Sequence, residues 1–245
     1  MGGNSPPPSL SGLVQETPQK QTFRTETRSG NNFRQNIALL ETIVALIIYT
    51  CLLVYGPFAK IESPQQNSRC WILLAFGIIY IIRVNFMTRY LLSREISKEE
   101  IYFVFPVFVP IIMTSFAIAG TVSNSNMILA ETLFSIGFYA TGSFLTSGSE
   151  IQRKLWKQKP ENKGKCYTEG LFSLSRNINY FGDVVLFTGW AVASGKWWNA
   201  WVPIFMFLSF VFHHIPEKEV YLAERYKNQW SDYVKNTKAL VPFLY

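Results

Sequence analysis

Long apolar runs divide this chain, and they limit its possible folds more than any other feature. Four approach the roughly 20 residues that cross a bilayer core, and two shorter ones follow. The runs cover residues 37–55, 70–92, 101–119, 132–149, 184–194 and 197–213. Only 16% of the residues are charged, against about 25% in an ordinary soluble domain. The pattern predicts an all-α, polytopic integral membrane protein with about six transmembrane helices, the last two forming a tilted or tightly linked hairpin.

The basic residues predict how the helices are oriented. Segment 150–176 carries seven lysines and arginines, whereas segment 121–126 carries no charge. Basic loops stay on the cytosolic side of a membrane, so we expect segment 150–176 on the cytosolic or matrix side of the endoplasmic reticulum or the mitochondrial inner membrane. The net charge of +7 then indicates anchoring to membrane lipids. It does not indicate nucleic acid, because no recognition motif surrounds the basic residues.

Two segments outside the runs differ from the rest in composition. Residues 1–32 are rich in Pro, Ser, Thr, Gln and Asn, so they cannot bury enough apolar surface to offset the entropy of ordering. We expect them to be a disordered or partner-binding tail, and residues 33–245 to form the membrane domain. Residues 216–238 are polar but have apolar residues at helical spacing, which predicts an amphipathic helix on the membrane surface.

The cysteines show neither an even count nor the spacing of metal ligands. They are Cys51, Cys70 and Cys166. We therefore expect neither a disulfide framework nor a zinc site. A glycine-rich dinucleotide motif of the Rossmann type is also absent from the sequence, so a cofactor would have to bind without that soluble fold.

A dense polar cluster precedes the fifth apolar run. In a helix Asn179 and Asp183 lie one turn apart on one face, with Arg176 and Tyr180 beside them. Ionisable groups at a membrane boundary are costly unless they are paired or solvated, so they indicate a site. Asp183 could instead pair with Arg176. Three further groups are expected to join this cluster in a polar cavity: Glu150 with Arg153, Lys163 with Lys165, and Glu219 with Arg225.

Two of these further groups also have a purely structural interpretation. Glu150 and Arg153 are i,i+3 neighbours that could simply pair at a helix end. Glu219 and Arg225 could form weak surface pairs. On the second run, Arg83 and its polar neighbours near the end are predicted to be structural or to contact substrate headgroups, with long side chains that reach water.

Several short motifs, in order, carry a family resemblance. They are segments 146–153, 159–165, 167–172 and 179–183, residues Ile215, Pro216, Glu219, Tyr221, Leu222, Arg225, Tyr226 and Tyr233, and segment 237–243. In these the chain resembles the membrane superfamily of steroid 5-alpha-reductases, sterol reductases and isoprenylcysteine methyltransferases, and especially its DUF1295 branch. The family usually has His where this chain has Asn177.

The resemblance implies an NADPH-dependent reductase acting on the CH–CH group of a lipid or steroid-like enone. Tyr180 or Glu150 would then be the catalytic proton donor. The cofactor-binding residues would be Arg153, Lys163, Lys165, Arg176, Asn179, Asp183, Glu219 and Arg225. The family also contains methyltransferases that use S-adenosylmethionine. A third hypothesis is a non-catalytic subunit of a larger membrane complex, without a cofactor, whose N-terminal tail binds other subunits.

Overall fold

The computed structural model describes residues 18–56, 68–92, 94–123 and 126–245, and these residues contain helices but no strands. The α-helices are α1 (Pro18–Tyr55), α2 (Ser68–Phe86), α3 (Val109–Val122), α4 (Leu129–Gln158), α5 (Ile178–Ser194), α6 (Trp201–Ser209), α7 (Ile215–Tyr226) and α8 (Asn228–Asn236). The predicted all-α class is therefore confirmed. The first 17 residues of the predicted N-terminal tail lie outside the described part of the chain, and the domain boundary stays a prediction.

Four helical segments are long and apolar enough to cross a membrane. They are Asn31–Tyr55, Ser68–Leu91, Glu100–Val122 and Trp197–Tyr226. The other two predicted spans, α4 and α5, are helices but are not among these four, so the count of six is not confirmed. Many large apolar side chains on the four segments face outward, including Ile47, Ile82 and Phe212, as expected of helices that lie in lipid.

Wider helical turns extend two of these spans. The π-helical turn Met87–Leu91 continues α2, and the π-helical segment Glu100–Phe108 leads directly into α3. Pro106 lies inside the second segment. Proline has no N–H to donate and its ring crowds the preceding turn, so a local widening of the helix accommodates it without breaking the span.

Glycines bring the backbones of α4 and α5 into direct contact. A Cβ atom on Gly142 would lie 2.5 Å from the Gly182 carbonyl oxygen, and one on Gly182 would lie 2.7 Å from the Thr146 nitrogen. Further along, a Cβ atom on Gly189 would lie 2.6 Å from the Tyr139 nitrogen. Small residues allow membrane helices to approach closely. These contacts fix which residues of α4 face which residues of α5.

Aromatic side chains fill the centre of the bundle. Trp190 on α5 is fully buried, and its Nε1 donates to the Tyr49 hydroxyl at 3.3 Å. Tyr139 on α4 stacks on Phe76 of α2 with ring centroids 3.9 Å apart, and its hydroxyl donates to the Phe76 carbonyl at 2.6 Å. The hydroxyls of buried tyrosines need such partners, so these bonds add orientation to the apolar packing of α1, α2, α4 and α5.

Arg69, at the start of α2, joins that helix to α4 and α5. Its side chain is 2% exposed, and it donates to Glu131 of α4 at 2.8 Å and to the Ala193 carbonyl of α5 at 2.9 Å. Gly195 ends α5 in the left-handed region, with φ of 70°. A Cβ atom there would lie 2.5 Å from the Arg69 Cζ. Glycine therefore allows both the left-handed turn and the close approach of the Arg69 side chain.

The predicted C-terminal amphipathic helix divides into two. Residues 216–238 are mostly helical, but α7 ends at Tyr226 and α8 begins at Asn228. Lys227 between them has φ of 47° and ψ of −116°, a conformation that a residue with a Cβ atom rarely adopts. The single continuous helix is therefore wrong. The break turns α8 back onto the loop that precedes α5, where Tyr233 donates to the Phe172 carbonyl at 2.5 Å.

Two glycines of α4 form a matched test of the α4–α5 contact. Gly142→Ala should lower the free energy of unfolding by about 1–3 kcal/mol, because the new methyl group meets backbone that cannot move aside. At Gly137 the corresponding position has no atom of the described residues within 4 Å, apart from the adjacent backbone of its own helix. Gly137→Ala should therefore be neutral or stabilising, by up to about 1 kcal/mol. Reversible unfolding in mixed detergent micelles measures both; equal effects would contradict the close helix contact.

Candidate functional site

The α4–α5 contact brings Thr146 against the first turn of α5. The Thr146 hydroxyl lies 3.1 Å from the Asn179 carbonyl oxygen and 3.1 Å from Oδ1 of Asp183, so it can donate to either. The motif containing Thr146 formed part of the family resemblance, but the residue itself was not predicted to belong to the site. Its small polar side chain at a helix crossing was the available signal, since such residues form hydrogen bonds between membrane helices.

Glu150 lies one turn further along α4 and joins the same cluster. Its Oε1 accepts a hydrogen bond from Asn179 Nδ2 at 3.1 Å, and its Oε2 pairs with Arg153. The predicted i,i+3 pair therefore forms, and the carboxylate also bridges to α5. The side-chain oxygen of Asn179, Oδ1, is buried and has no hydrogen-bond partner in the part of the chain that the structure describes. Asn179 thus presents a free acceptor within the cluster.

Asp183 pairs with Arg83 of α2, not with Arg176 as one interpretation of the sequence expected. An Arg83 Nη2 atom lies 3.5 Å from Asp183 Oδ1. The Arg83 side chain is only 9% exposed, so the expectation that it reaches water is wrong. The pair offsets the cost of two charges inside the bundle. It also links α2 to the cluster formed by α4 and α5.

Arg176 instead binds the C-terminal part of the chain. Its Nη2 and Nε donate to Glu219 Oε1 on α7 at 2.6 and 2.9 Å, and its Nη1 donates to the Thr237 carbonyl. The guanidinium also lies 5.8 Å from the centre of the Trp230 ring on α8. The alternative interpretation, a weak surface pair of Glu219 with Arg225, is therefore not what the structure shows.

The residues on either side of Arg176 also bind the C-terminal segment. The Ser175 hydroxyl donates to the Ala239 carbonyl at 3.2 Å, and Asn177 Nδ2 donates to the same oxygen at 2.8 Å. Burial raises the pKa of the nearby Tyr233 hydroxyl, so this group stays protonated as a donor to the Phe172 carbonyl. The C-terminal segment therefore holds the residues that immediately precede α5.

Tyr180 faces the junction of α6 and α7. Its ring stacks on Phe210 with centroids 4.4 Å apart and an interplanar angle of 7°. The Lys218 ammonium lies 4.7 Å from the centre of the same ring, within the range of a cation–π interaction. Tyr180 thus faces the α6–α7 junction, whereas Asp183, three residues later on α5, meets Arg83 of α2.

Three of the predicted site residues lie apart from the buried cluster. Arg225 is exposed and contacts the Tyr221 hydroxyl on its own helix. Lys163 and Lys165 are exposed in the loop between α4 and α5. Exposed cations can meet phosphates from solution, but the described contacts do not connect these three residues to Glu150, Asn179 or Asp183.

Comparison with known proteins identifies a family and two kinds of relatives. The family model described as a protein of unknown function, DUF1295, matches residues 38–237. A probable O-methyltransferase, ustE, of Ustilaginoidea virens is 35% identical over 117 residues, which are 45% of this chain and 41% of that protein. The human 3-oxo-5-alpha-steroid 4-dehydrogenase 1 is 33% identical over 115 residues, which are 46% of this chain and 42% of that enzyme.

A steroid 5-alpha-reductase of Arabidopsis thaliana is similar to the same extent. It is 31% identical over 110 residues, which are 44% of this chain and 39% of that protein. The chain therefore spans less than half the length of the curated relatives it matches. The suspected family is confirmed, and both reductases and a methyltransferase occur among its relatives.

Arg176 allows a test of how the C-terminal segment is held. Arg176→Met leaves Glu219 and the Thr237 carbonyl without their donor, and breaking a buried ion pair costs about 3–5 kcal/mol. The matched control is Lys235→Met, which removes an exposed partner of Asp232 at 3.3 Å and should cost less than about 1 kcal/mol. Unfolding free energies in detergent measure both effects. A loss of stability in Arg176→Met no larger than in Lys235→Met would contradict the conclusion that Arg176 holds the C-terminal segment.

Proposed function

Because the chain belongs to the DUF1295 family, we propose that it is a membrane-embedded, NADPH-dependent reductase of a lipid or steroid-like enone. The observation that carries this proposal is the polar cluster of the buried Glu150 and the half-buried Asn179 and Asp183, which lies where α4 and α5 meet in an otherwise apolar helical bundle. A cluster of this kind in a membrane domain is expensive to bury and is typical of a functional site. The named activities of two relatives, steroid dehydrogenase and steroid 5-alpha-reductase, support the reaction class.

The residues present fit a nicotinamide cofactor. The buried Oδ1 of Asn179 has no partner among residues 18–56, 68–92, 94–123 and 126–245 and can accept an N–H from the carboxamide of nicotinamide. Arg153 is 41% exposed next to Glu150, and with the exposed Lys163 and Lys165 it would bind the phosphates from the aqueous side. NADPH, when bound, would supply the hydride for reduction of the enone.

The remaining polar residues would hold the site and move its proton. Both carboxylate oxygens of Glu150 already have partners, so its better role is to orient Asn179. Tyr180 is then the stronger candidate for the proton donor, because the ring is fixed by Phe210 and Lys218 while the hydroxyl has no hydrogen-bond partner among the described residues. Arg176 and Glu219 would act indirectly, through the position of the first turn of α5.

Methyl transfer is the second candidate, because one relative is named a probable O-methyltransferase. A sulfonium group is bound by carboxylates and aromatic faces. The Glu150 carboxylate and the stacked rings of Tyr180 and Phe210 could provide both. The substrate would again be an apolar, lipid-like molecule that reaches the site from the bilayer, in the endoplasmic reticulum or mitochondrial inner membrane, with the basic loop on the cytosolic or matrix side.

Ligand-dependent stability distinguishes these functions. NADPH at a hundredfold excess over its dissociation constant should raise the free energy of unfolding by about 2.7 kcal/mol. Asn179→Leu should remove most of this increase, because it deletes the free amide oxygen. Asp232→Asn on the exposed side of α8 is the control and should leave the increase unchanged. Thermal unfolding of the detergent-purified full chain measures each effect.

Two other outcomes would favour one of the alternative functions. An increase with S-adenosylmethionine and none with NADPH would contradict the reductase and favour methyl transfer. No increase with either, from a protein that unfolds cooperatively, would favour the non-catalytic subunit of a larger membrane complex. In that case co-purification with other membrane proteins at fixed stoichiometry should follow.

A further inference from the structure

A folded turn near the end of the chain leaves two large apolar side chains uncovered. Residues 240–245, here named the C-terminal turn, include a tight bend closed by a hydrogen bond from Leu244 N to the Val241 carbonyl at 3.1 Å. Phe243 and Leu244 are 78% and 79% exposed. Adjacent large apolar side chains on an ordered turn form an exposed patch, which marks an interaction surface.

The backbone at Phe243 shows that an aromatic residue is retained there at a cost. Its φ is 66°, in the left-handed region that glycine adopts freely and a bulky residue rarely adopts. Pro242 before it suits a turn, because its ring fixes φ at about −65°. Phe243 thus occupies the position where glycine would relieve the strain. Strain of this kind points to a function for the side chain.

The C-terminal turn packs on a segment that crosses the membrane. Leu240 is fully buried in a cluster with Phe210 and Ile215, both within the apolar segment Trp197–Tyr226. That segment starts at the end of α5 remote from segment 150–176. A helix rises about 1.5 Å per residue, so about 20 residues cross the hydrocarbon core. Phe210 and Ile215 therefore lie in the half of the bilayer nearer segment 150–176, and Leu240 lies beside them.

The surroundings of the turn match a bilayer. On the same membrane-crossing segment, Leu208 and Phe212 are 45% and 76% exposed, as lipid-facing residues are. The exposed Lys238 precedes the turn by two residues. A lysine at this position can extend its ammonium to the headgroups, where anionic lipids attract it.

The backbone of the turn is also suited to lipid, where polar groups must be satisfied within the protein. Leu240 N donates to the Tyr245 oxygen at 2.6 Å, and Tyr245 N donates to the Val241 carbonyl at 3.1 Å. Pro242 has no N–H to satisfy. The turn can therefore leave water with these groups already paired.

We propose that the C-terminal turn inserts into the bilayer leaflet nearer segment 150–176, with Phe243 and Leu244 among the acyl chains. Insertion would also anchor the polar site, because the carbonyls of Lys238 and Ala239 accept hydrogen bonds from the residues that immediately precede α5. Lipid would then help to hold the first turn of α5. This inference does not depend on the proposed reductase function.

A nitroxide spin label on the turn tests insertion in the full-length protein. Leu244→Cys carries the label after Cys51 and Cys166 are replaced by alanine, while Cys70 is buried and stays unlabelled. The protein is reconstituted into vesicles of phosphatidylcholine and phosphatidylserine. Oxygen concentrates among acyl chains and a nickel chelate stays in water, so power-saturation EPR with both reagents reports the depth of the label. Oxygen accessibility at position 244 should exceed nickel accessibility severalfold.

Two labelled controls in the same background set the scale. Phe212→Cys lies on the exposed surface of the membrane-crossing segment and should give the same pattern as Leu244→Cys. Ser231→Cys, at an exposed polar position on α8, should give the reverse pattern, with nickel accessibility the greater.

Substitutions at Phe243 show whether its ring drives insertion. Glycine accepts a φ of 66°, so Phe243→Gly keeps the turn and removes the ring. The ratio of oxygen to nickel accessibility at position 244 should then fall severalfold, toward that of Ser231→Cys. Phe243→Trp retains a large aromatic side chain and should keep the ratio high.

Three results would overturn the inference. Nickel accessibility at position 244 equal to that of Ser231→Cys would place the turn in water. Low accessibility to both reagents would mean that protein, either a second copy of this chain or another subunit, covers the turn in place of lipid. An unchanged ratio in Phe243→Gly would remove the role assigned to the strained aromatic residue.

Discussion

The direct contact between α4 and α5 is the constraint on which the polar site depends. Gly142 and Gly182 let the two backbones touch, and this fixes the register in which Thr146 and Glu150 oppose Asn179 and Asp183. A larger residue at the crossing would separate the helices and lengthen the hydrogen bonds that join α4 to α5. The glycines therefore determine where the polar side chains lie, although they have no side chains of their own.

Charged residues inside the bundle connect segments that are distant in sequence. Asp183 binds Arg83 of α2, and Arg176 binds Glu219 of α7. Neither pair forms within one helix, because a buried charge requires a partner from whichever element packs against it. One pair joins α5 to α2, and the other joins the segment just before α5 to α7. The first turn of α5 is thus fixed by the membrane bundle on one side and by the C-terminal segment on the other.

The sequence predicted the helices well because long apolar runs have few alternative structures. It also predicted the local pair of Glu150 with Arg153, since spacing along a helix determines which neighbours can meet. It failed for Asp183 and Glu219, whose partners depend on how each helix is rotated against others. The break at Lys227 was missed for a related reason. Lysine gives no sequence signal of a turn, and the break goes with the packing of α8 against the loop that precedes α5.

The origin of the cluster suggests how substrate choice could vary within the family. Glu150, Asn179 and Asp183 come from two adjacent helices that the glycine contact holds in one arrangement. Arg83 reaches Asp183 from α2, a helix that presents an apolar outer face. Substitutions on α2 can therefore change the groups that meet a ligand without disturbing the α4–α5 register. Under the proposed function, a cofactor site on α4 and α5 would persist while α1 to α3 adapt to different apolar molecules.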